Sequence, residues 1–189
     1  MTNYTTNWSI HIERSINVAY STLPKTKMTC VEIGCFEGQG TNIMAKLLCS
    51  HEESKLYCID PWEDVYVTGK KEYTDIDHYF KDQYSRFLHN THNNNHVIPM
   101  RGYSDDMIAN LPNNIDFVYI DGDHSPLQVY KDGINMFPKM TSGGIIVFDD
   151  YTWEHNGQRC GDGIDKFLNE YKDKIEIISK DYQVIVRVK

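Results

Sequence analysis

Apolar residues along this chain fall into short dense runs, separated by stretches in which they recur every three or four positions. That alternation predicts strands interleaved with amphipathic helices. Residues 7–22 carry Trp8, Ile10, Ile12, Ile16, Val18 and Ala19 among polar neighbours and read as a leading helix that ends before Pro24. Dense apolar runs predict strands over 28–34, 55–60, 96–101, 115–121 and 144–149, the last preceded by a Gly143-Gly144 turn. Helical spacing follows over 41–49, 77–89, 105–110, 126–137 and 163–171. Two β-rich runs, 174–179 and 183–188, are joined across Asp181-Tyr182 by a link short enough only for an antiparallel hairpin. Five strand–helix units followed by a hairpin imply an α/β fold. The sheet should be doubly wound and mostly parallel, with seven strands and one antiparallel strand in the C-terminal hairpin. No repeat and no linker rich in Pro, Gly or Ser divides residues 1–189, so one domain is expected, with 1–24 as its leading segment. The stretch 61–77 is too polar for core and adjoins the second strand's end, a place for a substrate loop or lid. The run 89–95 reads as a solvated turn rather than a metal tract.

Composition narrows the partners. With 40% apolar and 24% charged residues, the chain is of ordinary globular make-up, and 189 residues suffice for one full core. A net charge of −8 argues against a nucleic-acid backbone as partner, which needs a basic face. No apolar run approaches the roughly 20 residues needed to span a bilayer, and the first eight residues are polar rather than signal-like. The five cysteines are scattered without zinc spacing, as in a reduced, cytoplasmic setting. A small molecule or glycan is therefore expected as partner, with no nucleic acid and no membrane; a homo-oligomer is left open.

Each predicted strand ends in polar residues, and in a parallel sheet those ends share one edge, outside which ligands bind. The first runs through V-E-I-G-C-F-E-G-Q-G at 31–40, with glycines at 34, 38 and 40 that let a ligand approach the backbone. Phe36 stands where a G-x-G-x-x-G fingerprint has its second glycine, and Glu37 adds a carboxyl. Such a turn suits a nucleoside without phosphate better than a pyrophosphate. Glu32 either orients the ligand's amino group or anchors the turn's amides. Asp60, 20 residues after Gly40, can accept from ribose hydroxyls. Trp62 offers a cover for an adenine face or a packing aromatic for its loop, and Ser104 reaches for the adenine edge. Asp121, Asp149 and Asp150 are hard oxygen donors that suit Mg²⁺, Mn²⁺ or Ca²⁺; alternatively, one of the pair caps the loop and no metal binds. Two successive acids cannot face the same side of a regular strand, so the pair should sit where the strand unwinds. His124, three residues after Asp121, is placed to take a proton from a bound hydroxyl, with His78 and His155 as rivals. Tyr66, Tyr151 and Trp153 line an acceptor pocket or pack the surface. A nicotinamide-dependent oxidoreductase is disfavoured by the broken fingerprint, and a catalytically silent binding protein by the intact acids.

Together, V-E-I-G-C-F-E-G-Q-G, C-I-D-P-W, F-V-Y-I-D-G-D-H-S and G-G-I-I-V-F-D-D-Y resemble the class I S-adenosylmethionine (SAM)-dependent methyltransferases, which share a Rossmann-like sheet. Within them the chain is similar to the metal-dependent O-methyltransferases of the catechol type, above all the branch that methylates sugar hydroxyls on macrolides. The resemblance covers roughly residues 28–170. It implies that Glu32, Gly34 and Gly38 hold the methionine moiety, that Asp60 binds the ribose, and that Asp121 serves both cofactor and metal. It also implies Asp121, Asp149 and Asp150 as Mg²⁺ ligands and His124 as the base. The chain departs from that branch in lacking a large N-terminal domain, and its 62–76 loop matches nothing in the family.

Overall fold

The computed structural model describes residues 2–7, 11–21, 23, 27–63 and 82–189. Five parallel strands form the centre of the sheet: β1 (Thr29–Ile33), β2 (Lys55–Asp60), β3 (Val97–Arg101), β4 (Ile115–Ile120) and β5 (Met140–Phe148). A separate two-stranded ladder, β6 (Glu154–His155) with β7 (Gln158–Arg159), follows β5. The hairpin β8 (Ile175–Lys180) and β9 (Val184–Val188) then completes a seven-stranded sheet in the order β3-β2-β1-β4-β5-β9-β8. β9 runs antiparallel to both its neighbours and is the one reversed strand, as expected from the sequence.

Among the described residues the α-helices are α1 (Ile12–Tyr20), α2 (Gln39–Leu48), α3 (Gln83–Thr91), α4 (Ser104–Met107), α5 (Pro126–Met136) and α6 (Cys160–Tyr171). Side chains alternate across the sheet, and each face has its own core. Cys30, Phe117 and Tyr119 face α1, α2 and α3 together with Ile16, Met44 and Phe87. Val31, Val118 and Ile120 face α5 and α6 together with Val129, Ile164 and Phe167.

Boundaries differ from expectation most clearly at β5 and α6, and glycines are involved in both. β5 begins at Met140 and carries Gly143 and Gly144 within it, because the β4–β5 register jumps from Ile115↔Met140 to Phe117↔Ile145 and the glycines absorb the extra residues. α6 begins at Cys160 rather than 163. Its Gly161 and Gly163 do not start the helix but let it press on Tyr151 and Pro126, where a Cβ would lie 2.5 and 2.0 Å from their carbonyl oxygens. The expected leading helix loses Trp8 and Ile10, and the loop its residues 64–77 with Tyr66, to the part of the chain outside the described residues, as does His78.

Chain order reverses between β1 and β4, which leaves a crevice at their C-terminal ends. The strands stop in step there. Gly34 N–H donates to the Ile59 carbonyl at 2.9 Å, Asp121 N–H to Ile33 at 2.8 Å, Asp149 N–H to Ile120 at 3.0 Å and Gly102 N–H to Asp60 at 3.0 Å. This common edge presents the polar strand ends to one space.

Candidate active site

The turn after β1 is shaped by close contacts. Gly34 has φ +87°, and a Cβ on it would fall 2.0 Å from the Asp121 carbonyl oxygen; Gly38 has φ +80° and abuts Thr91 and Phe87. Between them Phe36 also takes a left-handed φ of +45°, a strain tolerated where the surroundings over-determine the backbone. Asp60 pins this turn. Its Oδ2 accepts from the backbone N–H groups of Cys35 and Phe36, both at 2.9 Å, and its Oδ1 from that of Trp62 at 2.7 Å. Burial still holds the Asp60 carboxyl above its usual range.

Glu32, Gly34, Phe36, Gly40 and Asp121 line one cleft, together with Thr6 and Ile12. Glu32 is 2% exposed and accepts from the Thr41 hydroxyl. Burial pushes its pKa up to about 8 against that bond. Asp121 is held well above the carboxylate range, by burial first and then by Asp149 and Asp150. Its carboxylate accepts no hydrogen bond among the described residues. Two acids facing a cleft at such cost fit a ligand that brings positive charge, as the sulfonium and ammonium of SAM do.

The acid pair splits where β5 ends. Asp149 turns inward: its Oδ2 accepts from the Tyr119 hydroxyl, and its Oδ1 from Gln183 Nε2 at 3.0 Å and from Asp150 N–H at 2.8 Å. Gln183 also donates to the Tyr119 hydroxyl at 2.7 Å. Asp150, with φ +55°, turns outward. Its Oδ1 accepts from the Tyr182 hydroxyl, and its Oδ2 lies 3.2 Å from His124 Nδ1. Asp121, His124 and Asp150 thereby offer ligand atoms within 4.8 Å of one another. The structure thus groups two of the three expected acids, Asp121 and Asp150, with His124. Both oxygens of Asp149 carry hydrogen bonds within the protein, and His124 stands beside Asp121 and Asp150. A nitrogen and two carboxylates remain a donor set that fits a hard or borderline divalent cation.

Two other expectations meet a different geometry. Trp62 is 1% exposed, packs on Phe87 and Tyr84, and donates from Nε1 to the Phe36 carbonyl at 2.8 Å. That ring braces the turn from within and has no face for an adenine. Ser104 donates to Asp132 Oδ1 at 2.6 Å and accepts from Gln128. Asp132 itself is buried, its pKa pushed up to about 6 by that burial, and its Oδ2 finds no partner among the described residues. Glu37 also lines the cleft, and its oxygens go to Thr5 and Arg86. Of the aromatic set, Tyr151 bonds Asp165, whereas Trp153 lies 4.9 Å from the His124 ring and 5.7 Å from that of His155. Tyr119, Tyr182 and Gln183 escaped the sequence reading. Tyr119 carries the one available signal, a hydroxyl within the buried run Phe117–Ile120.

A family model described as a methyltransferase domain matches residues 31–151, more than half of the chain. An uncharacterized protein, R132 of Acanthamoeba polyphaga mimivirus, is 33% identical over 147 residues, 75% of this chain. The chain spans 59% of that relative's length. Among solved structures, the O-methyltransferase NovP aligns with a TM-score of 0.67 at 18% identity, over 95% of this chain and 78% of its own. TomG, an O-methyltransferase of Streptomyces achromogenes involved in tomaymycin synthesis and solved with SAM, aligns at 0.67 and 15%, over 97% and 82%. A putative rRNA methylase from Clostridium thermocellum aligns at 0.71 and 13%, over 97% and 98%. These structures share the fold, and the matched segment contains the Gly-rich turn, Asp60, Asp121, His124 and the Asp149-Asp150 pair. The chain therefore belongs to the methyltransferase-domain family, in the SAM-dependent class that its strand-end motifs resemble.

Proposed function

We propose that this chain transfers a methyl group from SAM to a hydroxyl of a sugar or similar small diol, assisted by a divalent cation. One observation carries the reading: Asp121 lines the cleft behind the Gly-rich turn and also stands in the cluster with His124 and Asp150, so the two sites share a wall. Glu32 and Asp121 set negative charge against the cationic end of the cofactor, which supplies an activated methyl. A hard cation held by Asp121 and Asp150, Mg²⁺ for example, would supply Lewis acidity and lower the pKa of an acceptor hydroxyl. Asp150 holds His124 through Nδ1, which leaves Nε2 directed away from the pair and free to take the hydroxyl proton. Trp153 lies against that imidazole and restricts its rotation. Tyr119 and Gln183 fix Asp149, and with it the backbone from which Asp150 projects.

The test incubates the protein with labelled SAM, a sugar-nucleotide and glycan panel and a ribosomal RNA arm, with and without EDTA. Transfer to a glycan hydroxyl that EDTA abolishes is expected. His124→Ala should lower turnover about 10²–10⁴-fold while SAM affinity stays near that of the parent. Wild-type turnover in that variant would remove His124 as base, and EDTA-resistant transfer would remove the cation. The fold shared with an rRNA methylase of matching length favours nucleic acid as a second reading, opposed by the net charge of −8; label on RNA alone would decide for it.

A further inference from the structure

Residues 3–7 are bonded to the Gly-rich turn, α2 and α3, and Thr6 among them lines the SAM cleft. Thr5 donates twice to Glu37, from its backbone N–H to Oε2 at 2.7 Å and from its hydroxyl to Oε1 at 2.6 Å. Asn90 on α3 grips Asn3 in the same two-point manner. Its Oδ1 accepts from Asn3 N–H at 2.6 Å, and its Nδ2 donates to the Asn3 carbonyl at 3.1 Å. That Nδ2 also donates to the Glu37 carbonyl at 2.9 Å, which ties both grips to the Gly-rich turn. Asn42 donates to the Tyr4 hydroxyl at 2.8 Å and Gln39 to Asn7 Oδ1 at 3.1 Å. Between these anchors Thr6 lines the cleft together with Glu32 and Asp121.

Glu37 has no place in the chemistry described above, yet it is 2% exposed and sits between Phe36 and Gly38 in the turn itself. A carboxylate buried this deeply needs its oxygens filled. They are filled by Arg86, whose Nε lies 2.8 Å from Oε1, and by Thr5. The leading residues lack regular secondary structure, and Asn3 and Thr5 are exposed as residues. Their position is therefore decided by side chains of the turn, α2 and α3.

We propose that residues 3–7 form a strap closed over SAM, with Glu37 as the latch that sets how fast cofactor and product exchange. This rests on the SAM reading of the same cleft. Glu37 is a positioning residue: it acts through Thr5, and Thr6 is the part of the strap that meets the cleft. A ligand that touches Thr6 favours the docked strap, and by reciprocity the docked strap slows the ligand's escape.

Thr5→Pro tests this on the full chain. It removes both donors to Glu37 at one exposed position and leaves the Glu37–Arg86 pair intact. Thr5→Val removes the hydroxyl alone, and Thr2→Pro controls for a proline outside the strap. The readout is dissociation of S-adenosylhomocysteine by stopped-flow. Thr5→Pro should raise the dissociation rate about tenfold and Thr5→Val roughly threefold, with the KM for SAM rising in step and kcat not falling. Thr2→Pro should match the parent. In the parent, amide exchange at Asn3 and Thr5 should slow when S-adenosylhomocysteine is added. An unchanged rate in Thr5→Pro overturns the strap while leaving the SAM reading in place. Tighter binding overturns it too, since the strap would then compete with the ligand. A parent protein that does not bind S-adenosylhomocysteine sinks both.

Discussion

Glu32 lies in a buried strand with the Thr41 hydroxyl as its side-chain partner, and its folded pKa of about 8 stands far above the ordinary 4.5. Between those values the folded chain keeps a proton that the unfolded chain has released. Stability therefore rises as pH falls from about 8 toward 4.5, and above 8 the buried charge weighs on the fold in full. Glu32→Gln should remove that dependence, flattening the profile by about 1.4 kcal/mol per pH unit across the middle of the window. Urea midpoints at a series of pH values measure it, and parallel profiles for the two proteins would contradict it. The same change should weaken SAM binding, because the charged carboxylate is what a cationic ligand draws out. At this scale the sequence was informative about residue type and less so about direction. Glu32 and Asp121 stood out as acids in apolar strands. Nothing in Asp149-Asp150 told which acid would turn inward, since that depends on Tyr119 and on Gln183, 34 positions away along the chain.

Among elements, α6 shows why helix boundaries were harder to read than helices. Glycine in a periodic stretch usually marks an end, but Gly161 and Gly163 lie inside α6, where they face other backbone rather than solvent. Gly163→Ala would place a Cβ 2.0 Å from the Pro126 carbonyl oxygen, and backbone cannot swing aside as a flexible side chain does. A loss of about 1–3 kcal/mol is expected, read from denaturant unfolding. Gly157→Ala, with φ +72° and no atom within 4 Å of the added Cβ, should cost less. Equal losses would mean that helix packing at Pro126 is looser than described. Trp62 gives the same lesson in a loop. A tryptophan beside a strand end looks available for stacking, yet packing against Tyr84 and Phe87 decides the outcome, and those residues lie more than 20 positions downstream.

For the molecule as a whole, the alternation of apolar runs was enough to foresee the sheet, its reversed strand and the edge where polar residues meet. Periodicity reports which face of an element is buried, and a parallel sheet with helices on both faces leaves few arrangements. The strap was invisible to that logic. Its bonds join residues 32 and 87 positions apart, and polar side chains such as Glu37 and Asn90 carry no period. The cores hold one more feature with practical weight. All five cysteines are free and buried, and burial holds the thiols of Cys35 and Cys58 above their ordinary range. Alkylation must await opening of the surrounding structure, at the cleft for Cys35 and through the core for the others, so the chain carries its own clock for unfolding. Maleimide should consume the five thiols slowly, and a rapid phase in the native protein would speak against this packing. Cys35 borders the cleft, so bound S-adenosylhomocysteine should delay its modification beyond that of Cys160 on the opposite face. Reading the order in which thiols are lost would then separate an opening at the ligand's side of the sheet from a collapse of the whole.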